Sequence, residues 1–278
     1  CKRGTYWGDY LHDSPLGVIM PKTGIIVSDF HCGHLYGLTP PDYQISPDDD
    51  RQLGKAAEWQ RKTWDWYESQ AKAIGHVDRL ILNGDAIDGV GLKSGGTELI
   101  TSDRRRQVQM AKACIEAFDY DAITVIRGTA YHTGDQEDWE DILADILGTH
   151  AQDHAWLEYA GCVLDFKHHI GSTSIPSNAP PSLGREAIWN LLWAEKQLQP
   201  RAKVVIRSHL HTYCYTGQDD WLAIVTPALQ GWTKYGGRRL SKTISFGFIY
   251  FEISDKGEFL WQPHLLVPTF AAAQAEAL

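Results

Sequence analysis

IIVSDFHCGH, residues 25–34, decides how this 278-residue chain reads. Ile25, Ile26 and Val27 are β-branched and run into polar residues, the pattern of a short buried strand whose C-terminal tip carries chemistry. Asp29 and His31 follow two apart. The period-two alternation of an extended chain predicts that both side chains leave the same edge. Gly33 lets the backbone turn away behind them. A carboxylate beside an imidazole is half of a metal site, which directs attention to the polar clusters at other strand ends.

Working outward, residues 1–23 show little periodic pattern and read as an N-terminal arm. GLTPPDYQISPDDD (37–50) is a loop rich in Pro and Asp, and its last acids open a helix reaching about Ile74. The aromatics of that helix, Trp59, Trp64, Trp66 and Tyr67, are expected on the sheet. A second strand, Arg79–Asn83, delivers Gly84-Asp85 and then Asp88. The Gly-rich 89–102 stretch has no period and reads as a flexible loop near the site. A helix over 103–118 leads to a third strand, Ala122–Ile126, which ends in Arg127-Gly128-Thr129-Ala130-Tyr131-His132. Trp139, Ile142, Leu143 and Ile146 give a short amphipathic helix. Strands alternating with helices predict a parallel sheet with helical cover, and chemistry in such sheets gathers beyond the carboxyl ends of the strands.

The second half is richer in strands. Trp156–Phe166 leads to Lys167-His168-His169, residues 171–184 form a loop, and Glu186–Gln199 is a helix stopped by Pro200. Ala202–Ile206 delivers Ser208-His209-Leu210-His211. Leu222–Thr226, Ile244–Ile253 and Phe259–Leu266 are further strands, and 267–278 is a tail. With no repeat and no linker, residues 1–278 read as one domain.

A net charge of −9 argues against charge-driven binding to duplex nucleic acid, which needs a basic face. It leaves phosphate substrates open, because divalent cations can supply local positive charge. Five scattered cysteines favour free thiols and a reducing, cytoplasmic setting. No apolar run approaches the roughly 20 residues that span a bilayer.

Five strand ends thus carry polar clusters: Asp29/His31, Asp85/Asp88, Thr129/His132, His168/His169 and His209/His211. In order and spacing over about residues 24–212 they resemble the five blocks of the calcineurin-like metallophosphoesterases. The SDFHCGH and GTAYH forms are similar to members from phage genomes. The resemblance implies an α/β fold, a four-layer α/β/β/α sandwich of two mixed sheets, with two metal ions at the sheet edge. Carried over residue by residue, Asp29, His31 and His211 hold the first ion and Asp85 bridges both. His209 and either His168 or His169 hold the second. Mixed carboxylate and imidazole donors suit manganese first, with iron, zinc or nickel as alternatives. The implied activity is hydrolysis of phosphodiesters or small organic phosphates, nucleotides or single-stranded oligonucleotides among them, by a hydroxide bridging the metals.

Two departures stand out. Thr129 occupies the position where the family has a metal-binding Asn, and a neutral hydroxyl is the poorer ligand. His132 falls two residues late, so it is either the acid for the leaving group or a ligand of the second ion. Asp88 is expected behind a ligand histidine, as its hydrogen-bond partner or as a plain turn carboxylate. His34, Arg127 and Tyr131 are candidate substrate contacts, and Cys32 reads as a buried thiol. The competing reading is a scaffold that keeps the fold without turnover, for which Thr129 is the best support. Another binuclear hydrolase, such as an amidase, fits the block order less well. Nothing in the sequence sets the oligomeric state.

Overall fold

Ile25 and Val27 leave one side of β1 (Lys22–Val27) and Ile26 the other, and all three are fully buried. A strand apolar on both faces belongs inside a covered sheet. A computed structural model describes residues 20–46, 51–92, 94–133, 138–171, 179–233 and 243–267. The expected arm up to residue 19, the acids Asp48–Asp50 and the tail from residue 268 lie outside the described residues.

β1 pairs in parallel with β2 (His76–Asn83), which pairs in parallel with β3 (Asp119–Ile126), and the two-residue β4 (Ala151–Gln152) follows β3. On the other side β1 meets β10 (Phe246–Ile253) antiparallel, and β11 (Phe259–Leu266) closes that edge. α1 (Arg51–Ile74), α2 (Arg104–Ile115) and α4 (Trp139–Ile146) cover one face, burying Trp59, Trp64, Tyr67, Val108 and Leu143 against Ile25, Leu80 and Phe248. Trp66 lies edge-on to Phe246, with ring centroids 5.8 Å apart. A four-residue helix, α3 (Ala130–Thr133), follows β3.

The second sheet runs β5 (Ala155–Tyr159), β6 (Cys162–Phe166), β7 (Val204–Arg207), β9 (Leu222–Val225), β8 (Cys214–Gly217), with β6, β7 and β9 parallel. Ile26, Ile81, Ile126 and Ile249 of the first sheet meet Leu164, Phe166, Ile206 and Ile224 of the second in one apolar layer. Val205, Ala223 and Val225 face outward onto Leu183 of α5 (Ala179–Glu195). Three apolar layers separate four structural ones, so the expected α/β/β/α sandwich of two mixed sheets is the architecture found.

Some sequence expectations need correction. Trp156–Phe166 is a hairpin, because Ala160 and Gly161 take positive φ and turn the chain. α5 begins at Ala179, inside the expected 171–184 loop, since Pro180 and Pro181 fit a first helical turn that lacks N–H partners. Two-residue β4 is too short to leave a sequence signal, and β8, Cys214-Tyr215-Thr216-Gly217, has no apolar run to leave one. In α4 the buried face is Trp139, Glu140, Leu143 and Ala144, while Ile142 and Ile146 are exposed. The Glu140 carboxylate is drawn inward to accept backbone N–H groups, and this rotates the stripe.

α5 is held by a buried polar knot. Asp165 accepts from Arg207 Nη1 at 2.6 Å, Asn190 Nδ2 at 2.8 Å and His154 Nε2 at 2.8 Å. Arg207 Nε also donates to Glu186 at 2.9 Å. Burial pushes the Asp165 carboxyl up, but the His154 hydrogen bond and the Arg207 charge overcome it and bring the group down to about 2. A depressed carboxylate stabilises the fold above its unfolded value of about 3.9 and loses that contribution as pH falls toward its folded value. Asp165→Asn is expected to cost about 3 kcal/mol at neutral pH by leaving Arg207 short of a charge partner. In urea titrations the gap to the parent should narrow between about pH 4 and pH 2.

Candidate metal centre

Asp29, His31, Asp85, His209 and His211 all have positive φ, between 45° and 70°. Residues with a Cβ pay on the order of 1 kcal/mol or more for this left-handed backbone, and such strain gathers at functional sites. Here it sets the aim of the side chains. β1 ends at Val27, so Asp29 and His31 converge through left-handed turns and not through the strand alternation expected from sequence. Backbone pairing beyond the strands holds the strain in place. Asp29 N donates to Gly84 O (2.9 Å), His31 N to Asp85 O (3.1 Å) and Cys32 N to Ala86 O (3.1 Å).

Three overlapping groups of donors result, each with its ligand atoms within 4.8 Å of one another: Asp29/His31/His211, His31/Asp85/His132 and Asp85/His168/His209. His211 Nε2 lies 3.1 Å from Asp29 Oδ1, and His168 Nε2 lies 3.0 Å from Asp85 Oδ2. His31 Nε2 is 4.0 Å from Asp85 Oδ2 and His168 Nε2 is 3.9 Å from Asp29 Oδ1, so the groups share their walls. The ring nitrogens facing away are anchored. His31 Nδ1 meets Asp88 Oδ1 at 3.1 Å, and His168 Nδ1 meets Asn83 O at 2.6 Å. Such contacts fix the ring so that Nε2 faces the centre.

Asp29 Oδ1, His168 Nε2 and His209 Nδ1 are buried and make no well-aligned hydrogen bond among the described residues; they make charge contacts, the first with His211 at 3.1 Å and the others with Asp85 at 3.0 and 3.9 Å. Buried polar atoms left this way are costly unless a ligand or ion satisfies them. Burial works to raise the Asp29 and Asp85 carboxyls, but the surrounding imidazoles hold both well below the usual range. Burial works to lower His168, while the charges of Asp85 and Asp29 pull it up to about 10. Two buried carboxylates are therefore demanding positive charge from whatever lies nearest. The donor set, the orphaned atoms and this charge balance fit divalent cations.

The structure separates the neighbouring histidines: His168 is buried beside Asp85, whereas His169 is exposed, its ring 4.9 Å from that of His209. Thr129 donates to Asp85 from its N–H (2.7 Å to Oδ1) and from its hydroxyl (3.0 Å). His132 lies edge-on to His31 at 4.4 Å, with Nδ1 3.2 Å from Asp88 O. Tyr131 packs edge-on to His132 at 4.8 Å. His34 is buried, its Nδ1 accepting from Tyr36 N at 3.0 Å. Arg127 turns its guanidinium onto Asp141 (2.6 Å), Asp153 (3.1 Å) and Asp138 (3.5 Å), not toward the cluster. Cys32 is buried 3.8 Å from the Cys114 sulfur.

Two supporting residues escaped the sequence reading. Glu140 accepts from Ala86 N (2.9 Å) and from Gly128 N, tying together the loops that carry Asp85 and Thr129. Burial, with the charge of Asp85, raises its carboxyl to about 8. The expected apolar stripe of Trp139, Ile142, Leu143 and Ile146 left Glu140 off the inner face, so nothing in the sequence marked it. Gln107 clamps the expected flexible loop, bonding Gly89 N (2.8 Å), Gly89 O (2.8 Å) and Thr101 O (2.7 Å). That loop is further fixed by Ile100 N to Gly33 O at 2.7 Å, directly behind the Asp29–His31 turn.

No family model matches the chain, and no curated protein does. Solved structures do. A wild-type Vps29 complexed with zinc from Entamoeba histolytica is 10% identical, with 87% of this chain and 98% of that one covered and a TM-score of 0.40. An archaeal phosphodiesterase is 15% identical over 87% and 99% of the two chains, with a TM-score of 0.40. A predicted phosphoesterase from Streptococcus pneumoniae is 12% identical over 89% and 99%, with a TM-score of 0.35.

Gly128 backs directly onto the carboxylate of Asp85: a Cβ there would collide with the Asp85 backbone nitrogen and Oδ1. Gly128→Ala is expected to displace Asp85 and weaken metal binding by about tenfold to a hundredfold. Metal content by mass spectrometry after dialysis checks this.

Proposed function

We propose that this protein is a metal-dependent phosphoesterase that takes phosphodiesters ahead of monoesters. The observation carrying the reading is the pair of donor groups, Asp29/His31/His211 and Asp85/His168/His209, set wall to wall beneath two buried carboxylates. Asp29, His31 and His211 would hold one cation, His168 and His209 the other, with Asp85 between them. Manganese leads on donor chemistry, with iron, zinc and nickel as alternatives. Bound there, two divalent ions supply Lewis-acid charge that activates water and offsets the charge growing on phosphoryl oxygens.

The chain's own residues do the positioning. Asp88 and Asn83 O keep the Nε2 atoms of His31 and His168 aimed inward. Thr129 holds the Asp85 carboxylate at both of its oxygens. His132, hydrogen-bonded through Nδ1 to Asp88 O, donates a proton to the departing oxygen. A chain of net charge −9 suits small or single-stranded substrates, whose few phosphates the ions alone can anchor. The free thiols of Cys32, Cys114, Cys162 and Cys214 support a reducing, cytoplasmic setting. Among the described residues, no helix is long and apolar enough to cross a membrane.

The competing scaffold reading draws on Thr129, a neutral hydroxyl in the position where the resemblance places a metal-binding Asn, here hydrogen-bonded to Asp85. Hydrolysis of bis(p-nitrophenyl) phosphate and p-nitrophenyl phosphate with manganese separates the two. We expect faster turnover of the diester, and Asp85→Asn lowering kcat by at least about a hundredfold. Metal uptake without turnover on either ester would leave the scaffold standing.

A second test concerns His132. His132→Ala should slow esters with poor, alkyl leaving groups by about 10²-fold or more while barely changing p-nitrophenyl esters, because only the former need a proton on departure. Equal losses on both substrates would instead make His132 a ligand.

A further inference from the structure

α5 has two unlike faces. Leu183 and Asn190 turn inward, onto the second sheet and onto Asp165. The solvent side carries Ile188, Trp189, Leu191, Leu192, Trp193 and, just past the helix end, Leu198, each between 39% and 65% exposed. A helix apolar on its outer face as well as its inner one is a helix that something covers. Soluble monomers rarely leave so much contiguous apolar surface open.

The order of charges along that face says what covers it. Positions 185, 188, 192 and 195 follow three-four spacing and form one ridge. They read Arg185, Ile188, Leu192, Glu195: a cation, two apolar residues, an anion. Arg185 and Glu195 are exposed, and neither forms an ion pair among the described residues; Arg185 reaches only Ser182 Oγ, at 3.2 Å. An antiparallel copy of this ridge, related by a two-fold axis, sets Ile188 on the partner's Leu192. The same operation sets Arg185 against the partner's Glu195, and each contact occurs twice, as an isologous interface requires. We propose that α5 forms the interface of a homodimer with this geometry.

Size and composition agree. At roughly 200 Å² for each large side chain, about half of it open, the six residues offer on the order of 600 Å². A stable interface uses about 800 Å² per partner, and rim residues such as Arg185 and Glu195 add to the apolar centre. Trp189 and Trp193 flank the ridge, and tryptophan dominates the energetic centres of interfaces. A membrane surface fits less well. An interfacial helix carries Lys and Arg along its polar border, whereas this ridge ends in one charge of each sign on a chain of net charge −9.

Sedimentation of the full chain at micromolar concentration tests this. We expect a species of twice the 31.3 kDa chain mass. Leu192→Glu, at an exposed position, should weaken dimerisation by about a hundredfold without altering the circular dichroism spectrum. Arg185→Glu and Glu195→Arg should each weaken it about tenfold, and the double variant should restore it. A monomer at every concentration, or a dimer indifferent to Leu192→Glu, overturns the proposal. Failure of the double variant to recover overturns the antiparallel pairing. A monomer that instead pelleted with phosphatidylserine vesicles would overturn it in favour of a lipid surface.

Discussion

Asp29 and Asp85 are ionised carboxylates almost wholly removed from water, and the architecture around them follows from that. A buried anion is tolerated only where positive charge and hydrogen-bond donors converge on it. Here, among the described residues, five imidazoles, the Thr129 hydroxyl and the backbone N–H groups of Thr129 and His209 converge, drawn from loops after β1, β3, β6 and β7. The parallel arrangement of those strands within each sheet brings the loops to one edge. Divalent cations are the natural complement to what remains unsatisfied.

The supports behind the ligands are less conspicuous and equally physical. Ser28, Thr226, Ser208 and Asn83 form a chain of hydrogen bonds of 2.8, 2.7 and 2.6 Å that crosses from the first sheet to the second. Glu140 and Gln107 tie the loops from behind. The left-handed turns are costly, and these bonds over-determine them, so the ligands are held before any ion arrives.

Much of this was legible in the sequence, because apolar runs ending in Asp or His leave a strong pattern. β1, β2, β3, β7 and β11, and the helices between them, follow from periodicity and breakers. The resemblance to the five blocks implied that Asp29 meets His211, and that Asp85 meets His209 and one of His168 and His169. What escaped has identifiable causes. Two-residue β4 is too short for a period, and β8 carries no apolar run. The Ala160–Gly161 turn sits inside a run that alternates well enough to pass for one strand. Glu140 lies on a helix face where composition suggested only packing, because its carboxylate answers to backbone groups distant in sequence. Nothing local separates His168 from His169; only the register of β6 does. Arg127 looked like a phosphate contact until the three carboxylates of its own neighbourhood were in place.

The hydroxyl chain between the sheets has a further consequence for how the molecule assembles. His31 and His211, whose Nε2 atoms lie 3.2 Å apart, are separated by 180 residues. Two of the three donor groups need both sheets: the first supplies the carboxylates, His31 and His132, the second supplies His168, His209 and His211. Pairings so distant in sequence form late in folding. The groups Asp29/His31/His211 and Asp85/His168/His209 therefore exist only once the inter-sheet layer of Ile26, Ile126, Phe166 and Ile224 has closed. Ion affinity becomes a gauge of how well the two halves fit, and damage to that oily seam, far from any ligand, would register as a loosened grip on the cation.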